Sequence, residues 1–121
     1  MPKKKKPMLA LTGAAILAFD DRKMVRVDTP EWKGHVFVRS MTAGERDAFD
    51  LFLLDNRENL KMRAYIVALC AVDADGARLF TADDVDALDG KASLPMTRIF
   101  MKAREVNKLF DTDIEDAEKN S

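Results

Sequence analysis

The sequence predicts an α+β fold, a mostly helical single domain with an N-terminal β-hairpin packed on a helical core. Three observations predict it. Apolar residues alternate with period two on both sides of a turn at Thr29–Gly34, the mark of two half-buried strands. After Ser40 the apolar spacing becomes helical. Two threonines, Thr42 and Thr81, stand three residues ahead of Glu45 and Asp84, which marks two helix starts.

A chain of 121 residues is the size of one domain and buries enough surface for one core. Residues 1–7 are expected to be a disordered basic leader, since Pro2 and Pro7 bracket Lys3, Lys4, Lys5 and Lys6. Residues 8–110 form the domain, and residues 111–121 form an acidic C-terminal tail with a last short turn at Thr112 and Glu115. The leader and the apolar run after it resemble a secretory signal in outline. Thr12 and Gly13 interrupt the run, no small-residue cleavage site closes it, and it continues into Asp20-Asp21. It is also too short to span a bilayer, which takes about 20 apolar residues. The expectation is a short docked helix, capped by Thr12 and held by Ile16, Leu17 and Phe19.

Lys23–Asp28 sets Val25 and Val27 against Met24, Arg26 and Asp28, the pattern of a first strand. In Thr29-Pro30-Glu31-Trp32-Lys33-Gly34, Pro30 fixes one torsion and Gly34 is expected to supply a free one. The second strand follows at His35–Arg39, with Val36 and Val38 on one side. Two strands alone are marginal, so the hairpin must pack on helices or pair elsewhere. Thr42-Ala43-Gly44-Glu45 is a capping box opening a helix to Leu54, with Phe49, Phe52 and Leu53 inward. Leu60–Val72 has the widest apolar stripe: Ala64, Val67 and Ala71, broadened by Met62, Ile66, Leu69 and Cys70. Such width marks the central core helix. Asp73-Ala74-Asp75-Gly76 turns the chain, with short strands expected at Val72 and Leu79-Phe80. Thr81 and Asp84 open a short helix to Leu88, which Gly90 is expected to end in a left-handed conformation. Ser93 is expected to cap a final helix to Leu109, with Pro95 in its first turn and Ile99, Ala103, Val106 and Phe110 inward.

Catalytic equipment is sparse. An EF-hand register on Gly76 aligns Asp73 and Asp75, but Ala71 and Ala82 fall where the first and last ligands belong. The turn therefore uses Asp and Gly for their torsions. His35 is the only histidine and Cys70 the only cysteine, so neither a zinc cluster nor an internal disulfide can form. A Cys70–His35 nucleophile pair conflicts with the apolar helix around Cys70, where burial blunts a thiol. Asp20-Asp21 and Asp83-Asp84 suit capping and solvation rather than acid–base chemistry. No phosphate-binding glycine loop is present, and no cofactor is expected. A net charge of -1 gives no overall field for nucleic acid or an acidic membrane. The lysine leader could touch nucleic acid, but it lacks interleaved aromatics. Trp32 is the one candidate protein-contact residue. Packing back on the core is its expected role, an exposed anchor the other. Met24, Met41, Met62, Met96 and Met101 could pad adaptable contact surfaces. These features leave binding of another protein as the reading, with the partner open.

Several segments together carry a resemblance. They are Ala15-Ile16-Leu17-Ala18 leading to Asp20-Asp21, Val25-Arg26-Val27-Asp28-Thr29-Pro30-Glu31-Trp32 with Gly34, and Val36-Phe37-Val38-Arg39. Met41-Thr42-Ala43-Gly44-Glu45-Arg46-Asp47, Val72-Asp73-Ala74-Asp75-Gly76, Leu79-Phe80-Thr81 with Asp84-Val85, and Ala103-Arg104-Glu105-Val106-Asn107-Lys108-Leu109 follow. In this order and spacing the chain resembles the tail assembly chaperone family of siphophages and their prophages. The resemblance covers nearly everything after the lysine leader. It implies a non-enzymatic protein that binds the tape measure protein and keeps it soluble until the tail tube polymerises. It places the chain in the bacterial host cytoplasm and outside the mature virion. The major tail protein and a second copy of the chain are further candidate partners. It carries no site residues over. A structural tail or head–tail connector component is the alternative role, and a nucleic-acid-associated protein using Lys3–Lys6 the second.

Overall fold

The computed structural model describes residues 8–58 and 61–110. The expected leader and acidic tail, and the predicted helix start at Leu60, lie outside the described residues. The element order is α1 (Gly13–Ala18), β1 (Met24–Thr29), β2 (Gly34–Arg39), α2 (Ala43–Asp55), α3 (Met62–Cys70), β3 (Ala71–Val72), α4 (Val85–Asp89) and α5 (Ser93–Asn107). This is the predicted α+β fold, with one refinement. The hairpin β1–β2 gains a third antiparallel strand, giving the order β1-β2-β3.

The hairpin register pairs Val25 with Val38 and Val27 with Val36. One face of the sheet is therefore a valine surface, and it closes on α3 and α5. The turn differs in detail from expectation. Pro30–Trp32 is a single 3₁₀ turn, and the left-handed residue is Lys33 (φ 57°), not Gly34. Thr29 is buried, and its hydroxyl donates to the Gly34 carbonyl at 3.0 Å, which closes the turn without an orphan polar group.

The stripe predicted over Leu60–Val72 is one helix and one strand. Helix α3 stops at Cys70, and Ala71 turns extended (φ -74°, ψ 124°) to pair with Val38 while Val72 pairs with Phe37. Both stay buried, so the apolar stripe was real but its last two residues serve the sheet. Periodicity alone cannot separate the two at a helix end. The strand expected at Leu79-Phe80 is instead an isolated bridge from Val72 to Arg78. Arg78 also donates to the Ala68 carbonyl from Nε at 3.2 Å and Nη2 at 2.9 Å, placing a cation on the C-terminal end of α3.

Both capping boxes form. The Thr42 hydroxyl accepts from the Glu45 amide, and the Glu45 carboxylate accepts from the Thr42 amide. Thr81 and Asp84 do the same for the 3₁₀ turn that leads into α4, though the Thr81 hydroxyl accepts from the Asp83 amide. Two helix ends differ from expectation. Gly90 has φ -86° and closes α4 without a left-handed residue. Ser93 is the first residue of α5 rather than its cap, and the left-handed residue ending α5 is Lys108 (φ 48°).

Helix α3 is the core, with Ala64, Ile66, Val67, Ala68, Leu69 and Cys70 all buried. Against it lie Met96, Ile99, Phe100 and Ala103 of α5, Val85 and Leu88 of α4, and Phe49 of α2. Phe52 stacks on Tyr65 with ring centroids 4.0 Å apart, which covers the α2–α3 flank.

Candidate partner-binding surface

The residues with possible chemistry are dispersed and committed. Cys70 is fully buried, and burial first, then the Glu45 carboxylate, pushes its thiol up to about 12. The Asn107 amide nitrogen, 3.8 Å from Sγ, works weakly the other way. Such a thiol is not a nucleophile near neutral pH. His35 packs edge-on against Phe37 (5.4 Å between centroids) on the outward strand face, opposite the valine surface, and makes no pair with Cys70. The Asp73 carboxylate accepts from the amides of Asp75 (2.8 Å) and Ala77 (3.0 Å), so it builds its own turn. Gly76 is left-handed there (φ 86°), and a Cβ would stand 2.7 Å from Nη1 of Arg39. Lys61 is held charged by the Asp86 carboxylate 2.6 Å away, which raises its pKa and removes it as an amine nucleophile. Among the described residues no group of three or more His, Cys, Asp or Glu could hold a metal ion. No helix among them is long and apolar enough to cross a membrane.

What the structure brings to the surface is apolar. Trp32 does not pack back on the core as expected: it is 39% exposed at the hairpin turn. The turn is tied to α5 by a two-pronged ion pair, Arg98 Nη1 to Glu31 Oε1 at 2.8 Å and Nη2 to Oε2 at 2.9 Å. Hydrogen bonding to Arg98 holds the Glu31 carboxyl down at about 2. Arg98 also donates to the Asp28 carbonyl at 3.2 Å, which occupies part of the open edge of β1. Leu94 and Met101 lie four residues before and three after Arg98, on the same side of α5, and both are exposed. Trp32 thus follows one partner of the charged clamp in the chain, and Leu94 and Met101 flank the other on α5. Tryptophan and arginine together are the composition of a protein-contact hot spot.

Two further exposed apolar surfaces escaped the sequence reading. Leu51 and Leu54 point outward from α2, at 60% and 58% exposure. Helix α1 forms, with its Thr12 cap accepting from Ala15, but it does not dock: none of its residues is buried. The stretch that reads as a docked helix is an exposed arm. Its only sequence signal was the abrupt passage from apolar residues into Asp20-Asp21.

The fold has a counterpart among solved structures. The fold is similar to that of the bacteriophage HK97 tail assembly chaperone. The TM-score is 0.61, and the match covers 81% of this chain and 93% of that one. Sequence identity is 17%, so the likeness is one of fold. No family model matches the sequence, and no curated protein matches it.

Proposed function

We propose that this chain is a non-enzymatic phage tail assembly chaperone that binds the tape measure protein and keeps it soluble until the tail tube polymerises. The observation carrying this reading is the shared fold with a tail assembly chaperone over 81% of the chain. The surface chemistry supports it. A long amphipathic helix aggregates unless its apolar stripe is covered. The face formed by Trp32, Leu94 and Met101, held rigid by the Arg98–Glu31 clamp, suits such a helix in the helix-in-groove manner. The dispersal of Cys70, His35 and Asp73 into structural uses fits a protein that works by contact.

Co-expression with the tape measure protein tests the reading. Soluble yield of that protein rises and the two co-purify. Trp32→Ala with Met101→Ala weakens co-purification at least about tenfold while the chain stays folded. Unchanged solubility and no co-purification overturn the proposal. Mass spectrometry of purified virions gives a second check: the chain is absent from mature particles, whereas a structural tail or connector component would be present.

A further inference from the structure

A cavity of about 250 Å³ opens at the first turn of α5, where Ser93 and Met96 meet the start of α3 and the end of α4. Ala64, Leu88 and Met96, all buried in the core, are part of its lining, so its base is apolar. Its rim is charged. Lys61, Arg63 and Lys91 line it against a single carboxylate, Asp89. The first turn of α5 adds no acidic residue.

The ion pairs decide what sign of charge is left over. Lys61 takes up the negative charge of its surroundings: the Asp86 carboxylate lies 2.6 Å from its Nζ, and both Asp86 and Asp89 stabilise its charged form. Arg63 is stacked over the Phe100 ring, 5.6 Å from the centroid. Neither Arg63 nor Lys91 has a carboxylate partner among the described residues, and both are exposed. Further along α5 the charges cancel in pairs, Arg98 with Glu31 and Lys102 with Glu105. The positive excess is therefore concentrated at the cavity. The exposed side of α5 starts at the same place: Leu94 lies between two lining residues in the chain, and Met101 follows two turns later. An apolar base beneath two uncompensated cations matches a side chain with a short apolar stem and a carboxylate head.

We propose that the helix bound along α5 is acidic beside its apolar stripe, and that one of its carboxylate side chains enters this cavity to meet Arg63 and Lys91. The inference rests on the reading of the chain as a binder of an amphipathic helix, and it adds the sign of that helix's charge and the place where the charge is read. A helix bordered by lysine or arginine is repelled at the same rim, so the cavity selects among apolar helices that Leu94 and Met101 alone would accept equally.

Fluorescence anisotropy with two dye-labelled synthetic peptides tests it. Both are amphipathic helices of about six turns with the same leucine stripe, one bordered by glutamate and the other by lysine. The glutamate peptide binds the full chain at least about tenfold more tightly, and its advantage shrinks as salt is raised. Lys91→Glu cuts that preference at least about fivefold, and Arg63→Glu with Lys91→Glu reverses it. Lys108→Glu makes the same charge change on an exposed residue at the other end of α5 and shifts the preference by less than about twofold. Circular dichroism confirms that each variant is folded. Equal binding of the two peptides, binding of neither, or an equal response to Lys91→Glu and Lys108→Glu overturns the proposal. Co-purification of the tape measure protein together with equal peptide binding sinks this inference alone. A glutamate preference without co-purification sinks the tape measure reading alone.

Discussion

Two apolar stretches of this chain have opposite fates. Residues 64–72 and residues 8–19 are both dominated by Ala, Leu, Ile and Val or Met. Ala64 and Ile66–Val72 lie between 0% and 6% exposed, and the large residues of the arm lie between 55% and 100%. The difference is not hydrophobicity. Helix α3 is fixed at its far end: β3 continues it into the sheet, and Arg78 binds its Ala68 carbonyl. Elements of the same chain then close over it from three directions. The arm is fixed at its root, by Arg22 and Lys23 against Ser40, and none of the residues of α1 is buried. Apolar composition states that a segment needs covering. Topology decides whether its own chain can do so.

The sharpest way to break this comparison is to damage the buried stretch. Ile66→Ala removes a fully buried side chain from the middle of α3, and unfolding in urea shows a loss of about 2–5 kcal/mol. A loss under 1 kcal/mol would mean that α3 is not the core. Next in size is Asn107→Ala. The Asn107 carbonyl oxygen accepts from the Met41 amide at 2.7 Å, and its amide nitrogen donates to the Ala103 carbonyl at 2.9 Å. One side chain thereby fastens the strand-to-helix junction after β2 to the end of α5. Removing it strands a part-buried amide, at about 1–3 kcal/mol, and accelerates hydrogen exchange at Met41 ahead of the core.

Some of this was legible in the sequence and some was not. The hairpin, both capping boxes and the apolar stripe of α3 follow from local patterning, and local patterning is where they were found. Asn107, Arg78 and Arg98 were missed because their partners Met41, Ala68 and Asp28 are 66, 10 and 70 positions away. A long-range side-chain-to-backbone bond leaves no periodic trace. The helix ends failed for another reason. Lysine rather than glycine takes the left-handed conformation at Lys33 and Lys108, against the residue preference. Trp32 was legible as a candidate contact but not as exposed, because packing is a property of the whole fold.

The turn at Asp73 sharpens the comparison from the loop side. Gly76→Ala forces a side chain into a left-handed position and against Arg39, whose Nη1 donates to the Gly76 carbonyl at 3.0 Å. The expected loss is about 1–2 kcal/mol, read as a lower urea midpoint. Asp73→Asn keeps the acceptor for the Asp75 and Ala77 amides and costs less than Gly76→Ala. A loss for Asp73→Asn as large as that for Gly76→Ala would mean that the turn depends on the carboxylate charge and not only on its acceptor oxygen.

The smallest expected effect is the most informative. Leu17→Asp and Leu69→Asp make the same chemical change in the two stretches. At Leu69, which is 6% exposed, a carboxylate enters the core and the domain fails to fold. At Leu17, which is 88% exposed, monomer stability changes by no more than about 0.5 kcal/mol. The measurement is urea unfolding at a concentration low enough to dissociate any dimer. Repeated at high concentration, the same pair of curves tests whether the arm is covered by another chain, since any such contact adds to wild-type stability with concentration and is weakened by Leu17→Asp. A gap that grows with concentration ties the exposure of the arm to assembly. A constant gap well above about 0.5 kcal/mol would place Leu17 within the domain's own packing and erase the contrast between the two stretches.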